Sequence, residues 1–372
     1  MLVGGCLRDL LEERPVHDFD VATSAPPGDV LAIFPRAVPT GLRHGTVMVP
    51  GAAGPVDVTT FRHGPHLLDD LAHRDFTVNA VAWDPATGAI LDPYGGLADL
   101  RAGRLRAVGC ASERLAEDPL RALRAVRLLA ERGLEPDDEL VAAMAGLGAR
   151  PAAVAPERLR AELERILLAP RAADGLRLLR RTGLEAVLAP GVAEGAAERV
   201  DAMPPARDER LAAWLLGTDP PPILARLRFG HATIERVARI LREHPVQDRS
   251  DPGSGASVRR LLHRVADREI EALLALAAVA GPTGAPPEPA ARERLEALRA
   301  ALTRERAAET LASGREVLAL DGKQVMEVLG CGPGPRIGAA LRYLTELVLT
   351  DPASNQAAIL CDRLRAWAQE NP

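Results

Sequence analysis

The chain has 372 residues, too many for one ordinary domain, and this length implies two to four units. Hydrophobic residues make up 47% and aromatics only 3%, so a sizeable core is affordable but must rest on Leu, Ala and Val. The net charge of −5 excludes a uniformly basic nucleic-acid coat but leaves room for a basic stripe.

In chain order, Leu2 to Asp20 reads as strand, glycine turn at Gly4-Gly5, short helix through Arg8, and a second strand ending in Asp18-x-Asp20. Glycines at a strand-to-helix turn let backbone N–H groups approach an anion. Residues i and i+2 of a strand share a face, so Asp18 and Asp20 would project together, which suits a hard cation such as Mg²⁺. Each feature alone is also common as a plain turn or a solvated strand end. Thr46 to Val49 and Val56 to Phe61 have the β-branched and alternating character of strands. Gly41 to Gly45, Gly51 to Pro55 and Asp84 to Gly88 are turn material. Phe76 to Trp83 is an apolar run, and Ile90 to Pro93 reads as extended.

From about Ser112 onward, Leu, Ala and Arg recur at helical spacing, and nothing further reads as strand. Breaks are expected at Gly133–Pro136, Arg150–Pro156, Pro204–Asp208 and Pro220–Pro222. Pro245 to Ser257 and Gly281 to Ala290 are rich in Pro and Gly and read as mobile linkers. Cys6, Cys110, Cys331 and Cys361 are far apart, with no CxxC, so neither a zinc site nor a disulfide framework is expected. The start is neither a signal peptide nor a targeting helix, and no apolar run approaches membrane-spanning length. The chain therefore reads as soluble and cytoplasmic. Lys323 is the sole lysine, so cationic chemistry falls to Arg, which suits bidentate contact with phosphates and base edges.

Three further clusters could carry chemistry. Asp57, in VDVTTFR, could lie on a strand beside the Asp18/Asp20 pair and complete a two-metal site, or could be an exposed polar residue of that strand. In HRDFTVNA, Arg74 and Asp75 precede an apolar run, and Asp75 and Asn79 are four apart, so in a helix they would share a face able to bind ribose or phosphate. The same spacing also fits a plain helix start capped by Asp. In EDPLRALRAVR, Pro119 marks a helix start, and Asp118, Arg121, Arg124 and Arg127 then follow along one side. That row could read a base edge and hold phosphates, or form an ordinary i,i+3 ion pair on a solvated helix.

Taken together and in this order, these clusters resemble the class II tRNA nucleotidyltransferase and bacterial poly(A) polymerase family. GGCLRD with DFD is similar to the family's first motif, and VDVTTFR to its third-carboxylate strand. HRDFTVNA is similar to RRDFTxNA, EDPLRALRAVR to the nucleotide-selecting EDxxRxxR helix, and PERLRAEL to the neck motif. DPYGGLADL and the LALDGKQVMEVLGCGPGPRIG tail extend the likeness over nearly the whole chain.

The resemblance implies an α+β fold. A DNA polymerase beta-like nucleotidyltransferase head (1–112) is followed by an all-α neck (113–185), body (186–280) and tRNA-binding tail (281–372). It also implies C addition to the 3′ end of tRNA from CTP, and from ATP if the whole CCA is built. Two Mg²⁺ ions would be held by Asp18 and Asp20, with Asp57 orienting the attacking hydroxyl. Gly4, Gly5, Arg8, Arg74, Asp75 and Asn79 would surround the triphosphate and sugar. Asp118 and Arg121 would select the base, and Arg124 and Arg127 would hold phosphates. Arg158, Arg160, Arg226 and Arg228 are candidates for RNA contact.

Four departures from the family pattern stand out. His73 replaces the first Arg of RRD, and Asp57 stands where close relatives often carry Glu. The chain begins almost at the glycine turn, as if part of the first strand were missing. The fourth is the length of the segment between Arg62 and His73, where complete CCA builders carry a longer loop associated with the switch from CTP to ATP. Its brevity points to a CC-adding enzyme, with a separate A-adding partner to finish the end. Poly(A) polymerase is the less favoured reading, because the chain ends without a long basic extension. A silent RNA-binding fold is disfavoured by the retained acidic residues. A fused HD phosphohydrolase is rejected, since His17-Asp18 is the only HD doublet and His231, His244 and His263 lack matching carboxylates.

Overall fold

The computed structural model describes every residue except 17, 18, 42–44, 52, 53, 63, 266, 309–317 and 372. The chain forms two compact units, Met1–Gly191 with Arg226–Phe229, and Val192–Ala225 with Gly230–Pro372.

The first unit opens with β1 (Leu2–Val3), α1 (Gly5–Leu11), β2 (Phe19–Thr23), α2 (Pro27–Ile33) and β3 (Val38–Gly41). Next come β4 (Thr46–Gly51), β5 (Gly54–Thr60), α3 (Leu67–Ala72) and a 3₁₀ turn at Thr77–Asn79. The sheet is completed by β6 (Ala82–Trp83) and β7 (Ile90–Leu91), in the order β3-β4-β5-β2-β1-β6-β7. Only the β2–β5 pair is parallel, and it places Asp20 opposite Asp57. The Val- and Thr-rich composition of β4 and β5 fits a pleated, half-buried surface, as expected from the sequence. The strand β3 and the helix α2, which starts at a Pro-Pro pair and buries only Val30, carry no comparable pattern.

The helices α4 (Gly96–Arg101), α5 (Ala111–Glu117) and α6 (Leu120–Arg132) follow, with β8 (Arg104–Leu105) between the first two. Asp92 caps α4, accepting from the N–H groups of Gly96 and Leu97 at 2.7 and 3.0 Å. Gly96 is required here, because a Cβ would lie 2.1 Å from the Thr77 carbonyl oxygen. The helix α6 buries Leu120, Leu123, Val126, Leu128 and Leu129. Each such apolar side chain contributes about 1.5–3 kcal/mol. Its polar edge carries the arginines of interest. Beyond it lie β9 (Glu135–Pro136), α7 (Asp138–Ala145), a 3₁₀ turn at Arg150–Ala153, α8 (Pro156–Leu168), α9 (Ala172–Arg181) and α10 (Leu184–Leu188). Gly175 lets α9 approach α6 and α8, since its Cβ would meet Ala130 and Ile166 at 3.1 Å.

The second unit is helical throughout its described residues. It contains α11 (Ala196–Ala202), α12 (Arg207–Leu215), α13 (Pro220–Arg226, whose last residue lies in the first unit), α14 (His231–Glu243) and α15 (Gly255–Arg264). It continues with α16 (Asp267–Val279), α17 (Pro289–Ala307), α18 (Gly322–Leu329), α19 (Pro335–Thr350) and α20 (Ala357–Glu370). Val325, Leu344, Val348, Leu360 and Leu364 form the core of its last three helices. No helix among the described residues is long and apolar enough to cross a membrane.

Three expectations need correction. A strand does occur after residue 112: β9 pairs in parallel with β8, Arg104 opposite Glu135. Asp75 and Asn79 do not lie on an α-helix. Asp75 Oδ1 accepts from its neighbour's N–H, at Phe76, which starts a single 3₁₀ turn instead. The start of the first Pro/Gly-rich stretch is packed rather than a free linker, whereas most of Gly281–Ala290 is exposed. Val246, Gln247 and Ser250 are buried, and the buried His244 imidazole bonds the Gly281 carbonyl at 3.2 Å.

Candidate active site

The first unit contains a cleft of about 810 Å³ bounded by the β1–α1 turn, β2, the 3₁₀ turn and the polar edge of α6. Gly4, Gly5, Arg8, Asp20, Arg74, Asp75, Asn79, Arg121, Arg124 and Arg127 all line it. Asp57 and Asp118 do not, although Thr59, two residues beyond Asp57 on the same strand face, does. Asp18 lies outside the described residues.

Gly4 sits at the strand-to-helix turn with φ +76° and ψ −146°, a conformation essentially restricted to glycine. A Cβ there would lie 3.1 Å from Arg74 Nη1 and 3.2 Å from Asp20 Oδ2. The bare backbone thus brings a guanidinium and a carboxylate to one point. Behind it, buried Cys6 accepts from the Asp20 N–H at 3.3 Å and donates to the Val3 carbonyl at 3.1 Å. Burial pushes the Cys6 thiol up, so it stays neutral beside the carboxylate.

Arg8 is buried and donates through Nη1 to Asn79 Oδ1 at 2.8 Å and through Nη2 to Asp9 at 3.2 Å. Arg74 is held by Asp70 at 3.1 Å and by the Asn79 carbonyl at 3.2 Å. Asp75, 5% exposed, receives Asn79 Nδ2 at 2.9 Å and faces Arg124 Nη2 at 2.9 Å. Burial by itself would raise the Asp75 carboxyl. Arg124, then Asn79 and the Phe76 N–H, outweigh it and hold the carboxyl below the usual range. Arg124 is raised chiefly by Asp75 in return. Arg127 is lowered by burial, partly offset by Glu162 at 2.7 Å.

The four residues expected in one row divide their partners. Asp118 Oδ1 accepts from the Leu120 N–H at 3.1 Å, and Oδ2 accepts from Arg158 Nη2 at 2.8 Å. Arg121 does not pair with Asp118. It donates to Glu117 at 3.0 Å, to the Arg114 carbonyl at 3.1 Å and to the His73 carbonyl at 3.0 Å. The His73 contribution is a main-chain one, which any residue at that position supplies. Its ring bonds the Asp69 carbonyl at 2.8 Å.

Of the arginines considered for RNA contact, Arg158 is thus bound to Asp118. Arg160 donates to the Arg228 carbonyl and lies 5.9 Å over the Phe229 ring, and Arg226 donates to the Leu188 carbonyl.

Sequence reasoning passed over several residues that build this site. Asp9 on α1 and Glu12 just after it receive Arg132 from the end of α6 at 2.6 and 3.1 Å. Asp99, 1% exposed, gathers Thr77, Arg104 and Arg106 at 2.7, 3.1 and 2.8 Å and so fixes the 3₁₀ turn. The only signal for Asp9 was its place beside Arg8 in the first motif. Asp99 gave none.

Among the described residues no cluster of three or more His, Cys, Asp or Glu side chains could hold a metal ion. Asp20 and Asp57 do offer hard oxygen donors on one face of adjacent strands, a donor set that fits a Mg²⁺-type cation.

Comparison with known proteins places these features in a lineage. A family described as "Poly A polymerase head domain" matches residues 1–106, and one described as "Probable RNA and SrmB- binding site of polymerase A" matches residues 133–195. The chain is 35% identical to the CCA-adding enzyme of Geobacillus stearothermophilus over 396 aligned positions, covering 99% of this chain and 92% of that one. It is 41% identical to the Lactiplantibacillus plantarum CCA-adding enzyme over 197 positions, about half of each chain (49% and 48%). In structure it is similar to the Bacillus stearothermophilus CCA-adding enzyme solved in complex with CTP, with TM-score 0.78, 32% identity and coverage of 99% and 94%. The fold also matches the Thermotoga maritima CCA-adding enzyme solved with tRNA, with TM-score 0.69, 20% identity and coverage of 98% and 90%. The chain belongs to the class II tRNA nucleotidyltransferase and poly(A) polymerase family, with a DNA polymerase beta-like head followed by helices.

Proposed function

We propose that the protein adds C residues to the 3′ end of tRNA from CTP, without a nucleic-acid template. The observation that carries this reading is the in-register pair Asp20–Asp57 beside the Gly4 turn, of which Asp20 lines a cleft edged by arginines. Mg²⁺ held by Asp18 and Asp20 would supply Lewis-acid activation of the α-phosphate and neutralise charge on the leaving pyrophosphate. Asp57 orients the 3′-hydroxyl of the RNA and accepts its proton. Gly5, Arg8, Arg124 and Arg127 hold the triphosphate, and Arg74 with Asp75 and Asn79 positions the sugar. Arg121, anchored on the His73 carbonyl, presents its remaining N–H groups to the base, while Asp118 supplies the acceptor. In this reading residues 1–112 form the head, 113–185 the neck, 186–280 the body and 281–372 the tRNA-binding tail.

The short segment from Arg62 to His73, much of it the single helix α3, favours addition of CC only, with a partner enzyme adding the final A. The names of the relatives favour a second reading, synthesis of the whole CCA. Three tRNA transcripts, ending at the discriminator base, at C and at CC, decide between them when each is given labelled CTP or ATP with Mg²⁺. Two C additions and refusal of ATP by the CC-ending transcript support the first reading. A single A on that transcript supports the second. A long run of A on any RNA would contradict both.

A further inference from the structure

The polar contacts around the cleft close on themselves. Arg132, the last residue of α6, donates through Nη2 to Asp9 Oδ1 at 2.6 Å. The same oxygen accepts from Arg8 Nη2 at 3.2 Å. Arg8 Nη1 reaches Asn79 at 2.8 Å, Asn79 reaches Asp75 at 2.9 Å, and Asp75 faces Arg124 at 2.9 Å. Arg124 lies on α6 again, eight residues before Arg132, roughly 12 Å along the helix axis. One helix is therefore tied at two points to a single strap running over α1 and the 3₁₀ turn. Glu12 adds a second anchor to Arg132 at 3.1 Å.

Resting on the reading of this cleft as a nucleotide site, we propose that Asp9 and Arg132 are a positioning pair for the nucleoside triphosphate. They close the circuit that holds the Arg8 guanidinium in place relative to Arg124. Neither needs to touch the nucleotide. Asp9 is shared between two cations, so its pull on Arg8 is balanced by Arg132. Without Arg132, Asp9 is free to draw Arg8 off the Asn79 oxygen, and the cradle loses its set geometry. A phosphate site gains from guanidiniums held in place before the ligand arrives, because ordering them on binding costs affinity. The shared carboxylate also offsets the repulsion of two like charges in one wall of the cleft.

The test uses the full-length chain. CTP affinity is measured calorimetrically with Mg²⁺ and no RNA, the KM for a tRNA transcript in the full reaction, and the thermal midpoint alongside. Arg132→Gln and Asp9→Ala should each weaken CTP about tenfold, leave the KM for tRNA within about twofold, and in combination weaken CTP no further than the worse single change, because both remove the Asp9–Arg132 contact. Arg132→Lys should restore part of the loss. If Arg132→Gln does not fold, Asp9→Ala and Arg132→Lys carry the same measurement. Unchanged CTP affinity in the folded variants overturns the proposal. So does equal loss for CTP and tRNA that follows a fall in thermal midpoint, or additive losses in the double variant. Arg8→Gln separates the two levels: if it leaves CTP affinity intact, the triphosphate reading itself falls and takes the pair with it. If it abolishes binding while Arg132→Gln is silent, only the positioning pair is wrong.

Discussion

Asp57 stands opposite Asp20 across the single parallel ladder of the sheet, on strands about 4.8 Å apart. Paired residues of a parallel ladder leave the sheet on the same side, so the two carboxylates share a face although they are 37 residues apart in the chain (57 minus 20). The strand β2 lies between β5 and β1, which leads into the Gly4 turn. The two neighbours of Asp20 thus have separate duties, a second carboxylate on one side and a close-approach backbone on the other. Loss of a group that orients and deprotonates a nucleophile costs about 10²–10⁴ in rate. Asp57→Asn should accordingly lower kcat by that order with little change in KM for CTP, measured by steady-state C incorporation.

Gly4→Ala should fold and lose most activity. The backbone conformation costs a non-glycine residue about 1–3 kcal/mol, and the added methyl would press on Arg74 and Asp20 together. Circular dichroism should stay native while kcat/KM for CTP falls at least tenfold. Wild-type turnover in this variant would mean that Gly4 is only a turn residue.

Arg121→Ala should blur the choice between CTP and ATP more than it weakens tRNA binding. A side chain reading a base edge contributes about 1–3 kcal/mol of discrimination. Competition between the two nucleotides on one transcript checks this, with tRNA affinity measured by filter binding. Retained selectivity would remove Arg121 from the base-reading role.

Asp75 gives a pH-dependent signature. Its carboxyl titrates lower in the folded chain than in the unfolded one, so it stabilises the fold at neutral pH and that contribution fades as the pH falls through the folded value. Asp75→Ala should cost about 2–3 kcal/mol at pH 7, because Asn79, the Phe76 N–H and Arg124 all lose their acceptor. Urea midpoints of wild type and variant should stay well separated at neutral pH and draw together below about pH 4. A gap that persists in acid would contradict this.

The parts of the fold that can be read from the sequence are those where local pattern and tertiary packing agree. The β-branched runs of β4 and β5, the Gly4-Gly5 turn and the Pro119 helix start are of this kind. The 3₁₀ turn is not legible in the four-residue spacing of Asp75 and Asn79, because Asp75 directs its carboxylate to the next N–H and to Asn79, a competition that spacing does not reveal. The link from Arg132 to Asp9 spans 123 residues, and the Asp99 hub joins three elements. Such contacts exist only once the chain has folded. The packed stretch after His244 was misjudged for a related reason: Pro and Gly content describes backbone freedom, whereas the burial of Gln247 comes from the second unit's own packing.

The most direct measurement is single-turnover addition of labelled C to a tRNA transcript ending at the discriminator base, with Mg²⁺, comparing wild type with Asp20→Asn. The predicted result is a loss of about 10³-fold or more in rate with CTP and tRNA affinities nearly unchanged, since on the proposed reading the carboxylate acts on the reacting phosphate and hydroxyl rather than on ground-state binding. Incorporation by Asp20→Asn at close to the wild-type rate would contradict the assignment of chemistry to the β2–β5 face.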